Sequence, residues 1–143
     1  MEILNKDTIA NKAEIISHHL SIGKFYRTIE NHHKAISYYE KALDFTKKWD
    51  ANNIAQEAML HYYIGDAYHF LKQYEQAFAK FETAKLINPK DNFFKYEIHR
   101  RKGQKESSEN NHNKAWNHFQ IALNGLESDN NSCLLYTSDA ADE

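Results

Sequence analysis

Apolar side chains recur along the chain in six segments that are separated by short polar stretches. Each segment is long enough for a helix of several turns, and glycine (4) and proline (1) are scarce. We therefore predict an all-α fold, with helices spanning about residues 9–29, 33–48, 53–71, 75–87, 91–109 and 113–126. Asn53, with Gln56 three residues later, has the pattern of a capping box at the start of the third helix.

Three stretches of the chain align with one another on glycine and alanine. Gly23, Gly65 and Gly103 recur at spacings of 42 and 38 residues, each at the eighth place of its unit. Alanines at the twentieth and twenty-seventh places and an aromatic residue at the twenty-fourth complete the match: Ala35, Tyr39 and Ala42; Ala77, Phe81 and Ala84; Ala115, Phe119 and Ala122. A repeated register of this kind predicts stacked supersecondary units.

This pattern resembles the tetratricopeptide repeat, in which each unit is a pair of antiparallel helices. The middle unit carries the fullest match, with Ile64, Gly65, Tyr68, Ala77, Phe81, Ala84 and Pro89 at the family's places. The resemblance implies a short right-handed solenoid of about three stacked helical hairpins.

Glycine inside a helix costs about 1 kcal/mol relative to alanine, so its recurrence needs a packing reason. We expect the glycine of each unit to lie against the alanine twelve residues later, which would let the two helix axes approach closely. Aromatic side chains would then fill the space on either side. Pro89 is expected in the first turn of the fifth helix, where its missing N–H is not required.

The alignment predicts repeats at about residues 16–49, 58–91 and 96–127. Residues 1–15 resemble the end of one repeat joined to the next, so we interpret them as part of a preceding unit or as a capping segment. Residues 128–143 are predicted to form a disordered tail.

The last eleven residues, CLLYTSDAADE, differ in character from the rest of the chain and contain its only cysteine. Back-translated, Cys133–Glu143 resembles the transposon-end adapter of a common sequencing-library method. We therefore interpret this segment as a technical artefact, with the natural sequence continuing differently after Ser132.

The formal net charge of −2 predicts no bulk attraction to nucleic acid or to an anionic membrane, which argues against both as partners. No apolar run approaches the roughly 18 residues of a membrane span, and the first residues lack a secretory apolar segment. A single cysteine is incompatible with an internal disulfide framework. We expect a cytoplasmic protein.

Nine histidines raise the question of a metal site. His19, His61 and His99 share the fourth place of their units, and His32 and His112 share the seventeenth, so repeat packing explains five of the nine. There is no HExxH motif and no pair of histidines four residues apart on one helix, so we predict no metal site. A phosphate-binding glycine loop and a nucleophile elbow are also absent, and we predict no catalytic residue, no cofactor and no enzymatic activity.

The family resemblance implies a peptide-binding concave face, lined by the first helix of each unit at its second, fifth, ninth and twelfth places. Leu20 and Met59 are among the residues at these places. As candidate groove residues we single out Lys24, Arg27, Tyr62, Asp66, His69, Arg100 and Gln104. Tyr62 would be the apolar anchor, and the three basic residues would meet acidic groups of the ligand. The alternative is a generic polar surface.

The residues at the ninth place of each unit argue against one class of ligand. The chaperone-tail clamp of some relatives needs asparagine there, and Lys24, Asp66 and Gln104 stand in its place. The run HRRKGQK, residues 99–105, is either a docking strip for an acidic partner or a solvated, weakly packed helix, and the balanced overall charge favours the second interpretation.

The leading hypothesis is a non-catalytic scaffold that binds a peptide or a partner protein. The alternative is the sensory, peptide-binding part of a larger bacterial regulator (a transcription factor, phosphatase or histidine kinase) whose output domain would follow Ser132. An enzyme whose catalytic domain would follow that residue is the third possibility.

Overall fold

Six α-helices make up the part of the chain that the structure describes. The structure, a computed structural model, describes the backbone of residues 6–141 and the side chains of residues 8–130. The helices are α1 (Lys6–Thr28), α2 (His32–Trp49), α3 (Ile54–Phe70), α4 (Tyr74–Ile87), α5 (Asn92–Ser108) and α6 (His112–Ala141). No strand occurs between residues 6 and 141, which confirms the predicted all-α class. In the same range no helix combines the length and the apolar content that crossing a bilayer requires.

The predicted bounds agree with the structure to within a few residues for α1 to α5, whereas α6 is much longer than predicted. It continues to Ala141 instead of ending near residue 126, so the backbone is helical through residues 128–141, where the sequence predicts a disordered tail. Two contacts from α5 tie the beginning of this stretch at Asp129: Tyr96 Oη and Asn92 Nδ2 donate to its Oδ2 atom over 2.7 and 3.1 Å. The side chains of the Cys133–Glu143 segment and the first five residues of the predicted 1–15 unit lie outside the described residues.

The helices pair into three hairpins, called here the first (α1 and α2), the second (α3 and α4) and the third (α5 and α6). All three have the same turn, in which Glu30, Lys72 and Asn110 adopt left-handed φ values of 60°, 59° and 63°. The N–H of each of these residues donates to the carbonyl three residues earlier, over 3.0–3.1 Å. Because a short turn forces its two helices to lie side by side and antiparallel, the predicted hairpin repeats are confirmed.

Of two predictions about helix starts, the one for α3 is confirmed in part and the one for α5 is wrong. Asn53 caps α3, since its Oδ1 accepts from Gln56 N over 3.1 Å, as a capping box requires. The Gln56 side chain does not complete the box and donates instead to Thr46 Oγ1 at 2.9 Å, which ties α3 to the buried end of α2. Pro89 lies between α4 and α5, before the capping residue Asp91, so its predicted place in the first turn of α5 is wrong.

The chain divides after Lys90 into two compact units. In the first unit α2 packs against α3, and their apolar faces form one buried cluster. Its members are Ala35, Ile36, Tyr39, Ala42, Leu43, Leu60, Ile64 and Ala67. Five partly buried residues pack against this cluster: Leu20, Tyr26, Tyr63, Tyr68 and Leu71. The second unit is the third hairpin, whose buried apolar residues are Phe94, Tyr96, Ile98, Ala115 and Ala122. Each unit therefore has a core of its own.

The repeated glycines lie closest to an aromatic ring, and the predicted contact with the alanine twelve residues later is present at Gly65, where a Cβ atom would lie 3.0 Å from the Ala77 carbonyl oxygen. A Cβ atom on Gly23 would lie 2.5 Å from Cε1 of Tyr39, and one on Gly103 would lie 2.6 Å from Cε1 of Phe119. At both sites the three nearest atoms belong to the aromatic ring, not to the alanine twelve residues after the glycine. The expected close approach within each hairpin is therefore present, but it makes room for a ring at the twenty-fourth place of the repeat.

Candidate peptide-binding site

A cleft of about 280 Å³ lies between the first helices of the two hairpins in the first unit. Its lining residues are Leu20 from α1 and Ala55, Gln56, Met59, Leu60 and Tyr63 from α3. Leu20, Met59 and Tyr63 are half-buried, so each keeps part of its apolar surface accessible. A concave apolar surface with a few polar groups at its edge is the usual form of a recognition site.

Tyr63 lines this cleft, whereas Tyr62, which the sequence predicts as an apolar anchor, does not. Tyr62 is only 8% exposed, and its ring lies 5.6 Å from that of Phe81 in the interior of the second hairpin. Tyr63 reaches the cleft, where its ring stacks on Tyr39 with 5.4 Å between centroids and 24° between planes. This stacking orients Tyr63 and so shapes the wall of the cleft.

Lys24 stands at the edge of the cleft. Its Nζ lies 5.1 Å from the centroid of the Tyr63 ring, so the side chain crosses from α1 to α3. The contact is a cation–π interaction, which holds the ammonium group over an aromatic face while Lys24 remains exposed. The structure thus brings this predicted site residue next to an aromatic residue of the cleft wall.

Arg27 and Asp66 form an ion pair one turn further along the same two helices. Arg27 Nε donates to Asp66 Oδ2 at 2.7 Å; the Arg27 side chain is 45% exposed, whereas that of Asp66 is buried. The hydrogen bond to this carboxylate raises the pKa of the Arg27 guanidinium. Arg27 also lies over the ring of Phe70, at 5.8 Å from its centroid. Asp66 is therefore a positioning residue for Arg27 rather than part of the accessible surface.

His69, another predicted groove residue, packs within the second hairpin. Its ring meets those of Tyr74 and Phe78 edge-on, at 5.3 and 6.4 Å between centroids. Both partners belong to α4, which does not line the cleft. The structure does not bring His69 together with Lys24 and Tyr63.

Arg100 and Gln104, the last two predicted site residues, lie on α5 in the second unit. Arg100 Nε and Nη2 donate to the two carboxylate oxygens of Glu97 over 2.6 and 2.7 Å. Glu97 also lies 3.7 Å from the buried Arg101, and Lys105 pairs with Glu109 at 2.9 Å. Three of the four lysine and arginine side chains in residues 99–105 thus lie within 4 Å of Glu97 or Glu109, and Arg101 is buried, so this part of α5 is packed as well as ion-paired.

Three of the nine histidines lie in the interior of a hairpin or face each other across one. His61 is buried, and burial lowers its pKa to about 4, helped by the nearby cations Lys80 and Lys47. His99 and His118 face each other across the third hairpin with 3.2 Å between their Nδ1 atoms. Among the described residues no three histidine, cysteine, aspartate or glutamate side chains lie close enough to hold a metal ion.

Comparison with known proteins agrees with this architecture. The family model of the tetratricopeptide repeat matches residues 14–85, which include most of α1 to α4 and the whole cleft, and this amounts to half of the chain. Repeats of this family generally mediate protein–protein interaction and are generally non-catalytic. No curated protein and no solved structure matches the chain. The repeated glycines, the hairpins and the family match together establish that the chain belongs to the tetratricopeptide repeat family.

Proposed function

We propose that this protein is a non-catalytic interaction module that holds a segment of a partner polypeptide in the cleft between α1 and α3. The observation that carries the proposal is the combination of an apolar wall at Met59 and Tyr63 with the exposed ammonium of Lys24 directly above it. An apolar anchor beside a basic group is an arrangement that gives both affinity and register to a bound peptide.

The same geometry supports a particular ligand chemistry. An apolar side chain of the partner would enter the cleft, and a neighbouring carboxylate would meet Lys24 and the exposed part of Arg27. The guanidinium of Arg27 is held in place by Asp66, so it loses little conformational freedom when a ligand binds. We therefore infer a partner segment in which an apolar residue and an acidic residue are neighbours on one face.

Selection of binders from a random peptide library displayed on phage tests this proposal. The purified full chain is the bait, and the affinity of each enriched peptide is then measured for the wild type and for Lys24→Glu. We expect the enriched peptides to share the apolar–acidic pattern and to bind Lys24→Glu at least about tenfold more weakly, which corresponds to about 1.4 kcal/mol.

Lys41→Glu is the matched control. Lys41 also lies 5.1 Å from a tyrosine ring, that of Tyr38, but it belongs to α2, which does not line the cleft. Its charge reversal should leave the affinity of the peptides unchanged. Peptides that bind both variants equally well would place the binding surface elsewhere, and the proposal would be wrong.

A further inference from the structure

Helix α1 presents to solvent an apolar face whose counterpart in α3 is buried. Ile22, Phe25 and Ile29 are between 38% and 58% exposed. The residues at the same places of the second hairpin, counted from Gly23 and Gly65, are Ile64, Ala67 and Leu71. Ile64 and Ala67 are fully buried in the core cluster of the first unit, and Leu71 packs against it. The α1 face thus has the composition of a packing face but is exposed.

Helix α6 also presents an apolar face to solvent, and the corresponding face of α2 is buried. Trp116, Leu123 and Leu126 are between 48% and 63% exposed. Their counterparts in α2, counted from Ala35 and Ala42 against Ala115 and Ala122, are Ile36, Leu43 and Thr46. All three counterparts are buried.

The counterparts of these two faces contact each other inside the first unit. Ile36 and Leu43 of α2 and Ile64 and Ala67 of α3 belong to the single buried cluster in which these helices meet. The exposed α6 face therefore has the register of the α2 side of that interface, and the exposed α1 face has the register of the α3 side. The chain therefore carries, on α6 and on α1, two exposed faces that match the two sides of its own α2–α3 interface.

We propose that the α6 face of one copy of this protein packs against the α1 face of a second copy, in the manner of α2 against α3, so that copies associate head to tail. A second copy is the occupant that the residues favour, because this chain itself carries the complementary register on its other exposed face. The association is heterologous, since the two contacting surfaces differ, and it can therefore continue from copy to copy.

Head-to-tail association leaves the proposed peptide cleft accessible. Ile22 is two residues from both Leu20 and Lys24, which places it roughly 200° around α1 from either of them at about 100° per residue. A partner peptide and a second copy would thus occupy different faces of α1.

Analytical ultracentrifugation of the full chain tests the inference. We expect the weight-average mass of the wild type to rise with protein concentration. Phe25→Glu destroys the α1 face and leaves the α6 face intact, whereas Leu123→Glu does the reverse. Each variant alone should remain monomeric at concentrations where the wild type associates. Leu86→Glu is the control, because Leu86 is an exposed residue of α4 outside both faces, and it should associate like the wild type.

Mixing the two variants gives the decisive measurement. An equimolar mixture contains one intact α6 face and one intact α1 face per pair, so we expect dimers of one copy of each variant and no larger species. Circular dichroism melts establish that each variant is folded, and Trp116→Glu replaces Leu123→Glu if the latter unfolds the third hairpin.

Three outcomes would overturn the proposal. The purified wild type could remain monomeric throughout the concentration range, as expected if another protein covers these faces. Leu86→Glu could dissociate the assembly as effectively as the two test variants. Leu123→Glu alone could also associate while Phe25→Glu does not, as expected if two α1 faces pack on each other symmetrically. Peptide binding by the wild type does not depend on any of these results, so the two proposals can fail separately.

Discussion

Cε1 of Phe81 lies 2.7 Å from the point at which a Cβ atom on Gly65 would be placed, which is closer than a real Cβ atom approaches another heavy atom. The carbonyl oxygen of Ala77 lies 3.0 Å from the same point. The ring of one helix thus occupies the volume that any side chain on the other helix would need. Gly23 and Gly103 have the same relationship to the rings of their own hairpins.

Replacing Gly65 by leucine should therefore destabilise the first unit. Leucine gains up to about 1 kcal/mol in helix propensity over glycine, but the crowding against Phe81 and the Ala77 backbone outweighs this gain. We expect a net loss of about 1–3 kcal/mol in the free energy of unfolding, measured by urea titration followed by circular dichroism. Ala79→Leu, at an exposed position of α4, is the control and should change stability little. An unchanged unfolding midpoint for Gly65→Leu would show that the ring can move aside without cost.

The repeat register could be predicted from the sequence because glycine, alanine and aromatic residues recur at fixed places. The contacts of the glycines could be predicted only in part, because an alignment shows which positions are equivalent but not which side chains meet across a hairpin. Gly65 touches both its alanine and its ring, whereas the three atoms nearest to Gly23 all belong to Tyr39. The distance between the two helices of a hairpin is set by the ring that fits between them, and which atoms meet the glycine depends on how the helices are tilted.

The cleft illustrates a second limit of sequence reasoning. Tyr62 and Tyr63 are adjacent residues of the same type, so they differ only in direction, by about 100° around the axis of α3. Periodicity places both near the boundary between the interior and the groove. In the structure Tyr62 is buried beside Phe81, whereas Tyr63 stacks on Tyr39 and stays half-buried in the cleft wall. The Arg27–Asp66 ion pair could not be predicted from the sequence either, since the two residues lie on different helices.

Removing the guanidinium of Arg27 should cost more stability than removing an ordinary surface cation. Arg27→Ala leaves the buried carboxylate of Asp66 without the cation that faces it, and we expect a loss of about 1–3 kcal/mol. The partial exposure of Arg27 places the result towards the lower end of this range. A double-mutant cycle with Asp66→Asn, measured by urea unfolding, isolates the coupling between the two side chains.

Arg100→Ala is the matched control for that experiment. Arg100 and Glu97 pair three residues apart on one helix, with 43% of the arginine side chain exposed, so the loss should not exceed about 0.5 kcal/mol. Equal losses for Arg27→Ala and Arg100→Ala would mean that the Asp66 carboxylate gains little from its partner.

The buried imidazole of His61 should make stability depend on pH. Burial lowers the pKa of His61 to about 4 in the folded protein, below the value of about 6.5 expected in the unfolded chain. Between these two values the unfolded chain binds a proton that the folded chain does not, so stability decreases as the pH falls from about 6.5 towards 4. At about 1.4 kcal/mol per pKa unit the full effect is on the order of 3 kcal/mol.

Urea unfolding at several pH values between about 7.5 and 5 measures this effect. His61→Leu should lose less stability on acidification than the wild type, even if its stability at neutral pH differs. His18→Leu removes an exposed histidine of α1 and should retain the pH dependence of the wild type. Parallel curves for the wild type and His61→Leu would contradict the assignment of the effect to His61.

The continuation of α6 depends on contacts that a linear pattern does not contain. Gly125 lies against the ring of Tyr96, as the repeated glycines lie against their own rings, although it falls outside the repeat register. One turn later Asp129 accepts hydrogen bonds from Asn92 and Tyr96, and the bond from Tyr96 raises the pKa of that phenol. Because the partners lie more than 30 residues apart in the chain, nothing near Asp129 marks it as part of the hairpin.

Shortening the chain should distinguish this part of α6 from the residues after it. A chain that ends after Ser132 retains Asp129, and we expect it to melt at the same temperature as the full chain, in agreement with the interpretation that Cys133–Glu143 is foreign to the protein. A chain that ends after Leu126 loses Asp129 and should melt at a lower temperature. Asp129→Ala in the full chain should reproduce part of that decrease, whereas Glu127→Ala, at an exposed position two residues earlier, should not. If the chain that ends after Ser132 melts well below the full chain, residues 133–143 stabilise the hairpin and the foreign-segment interpretation is wrong.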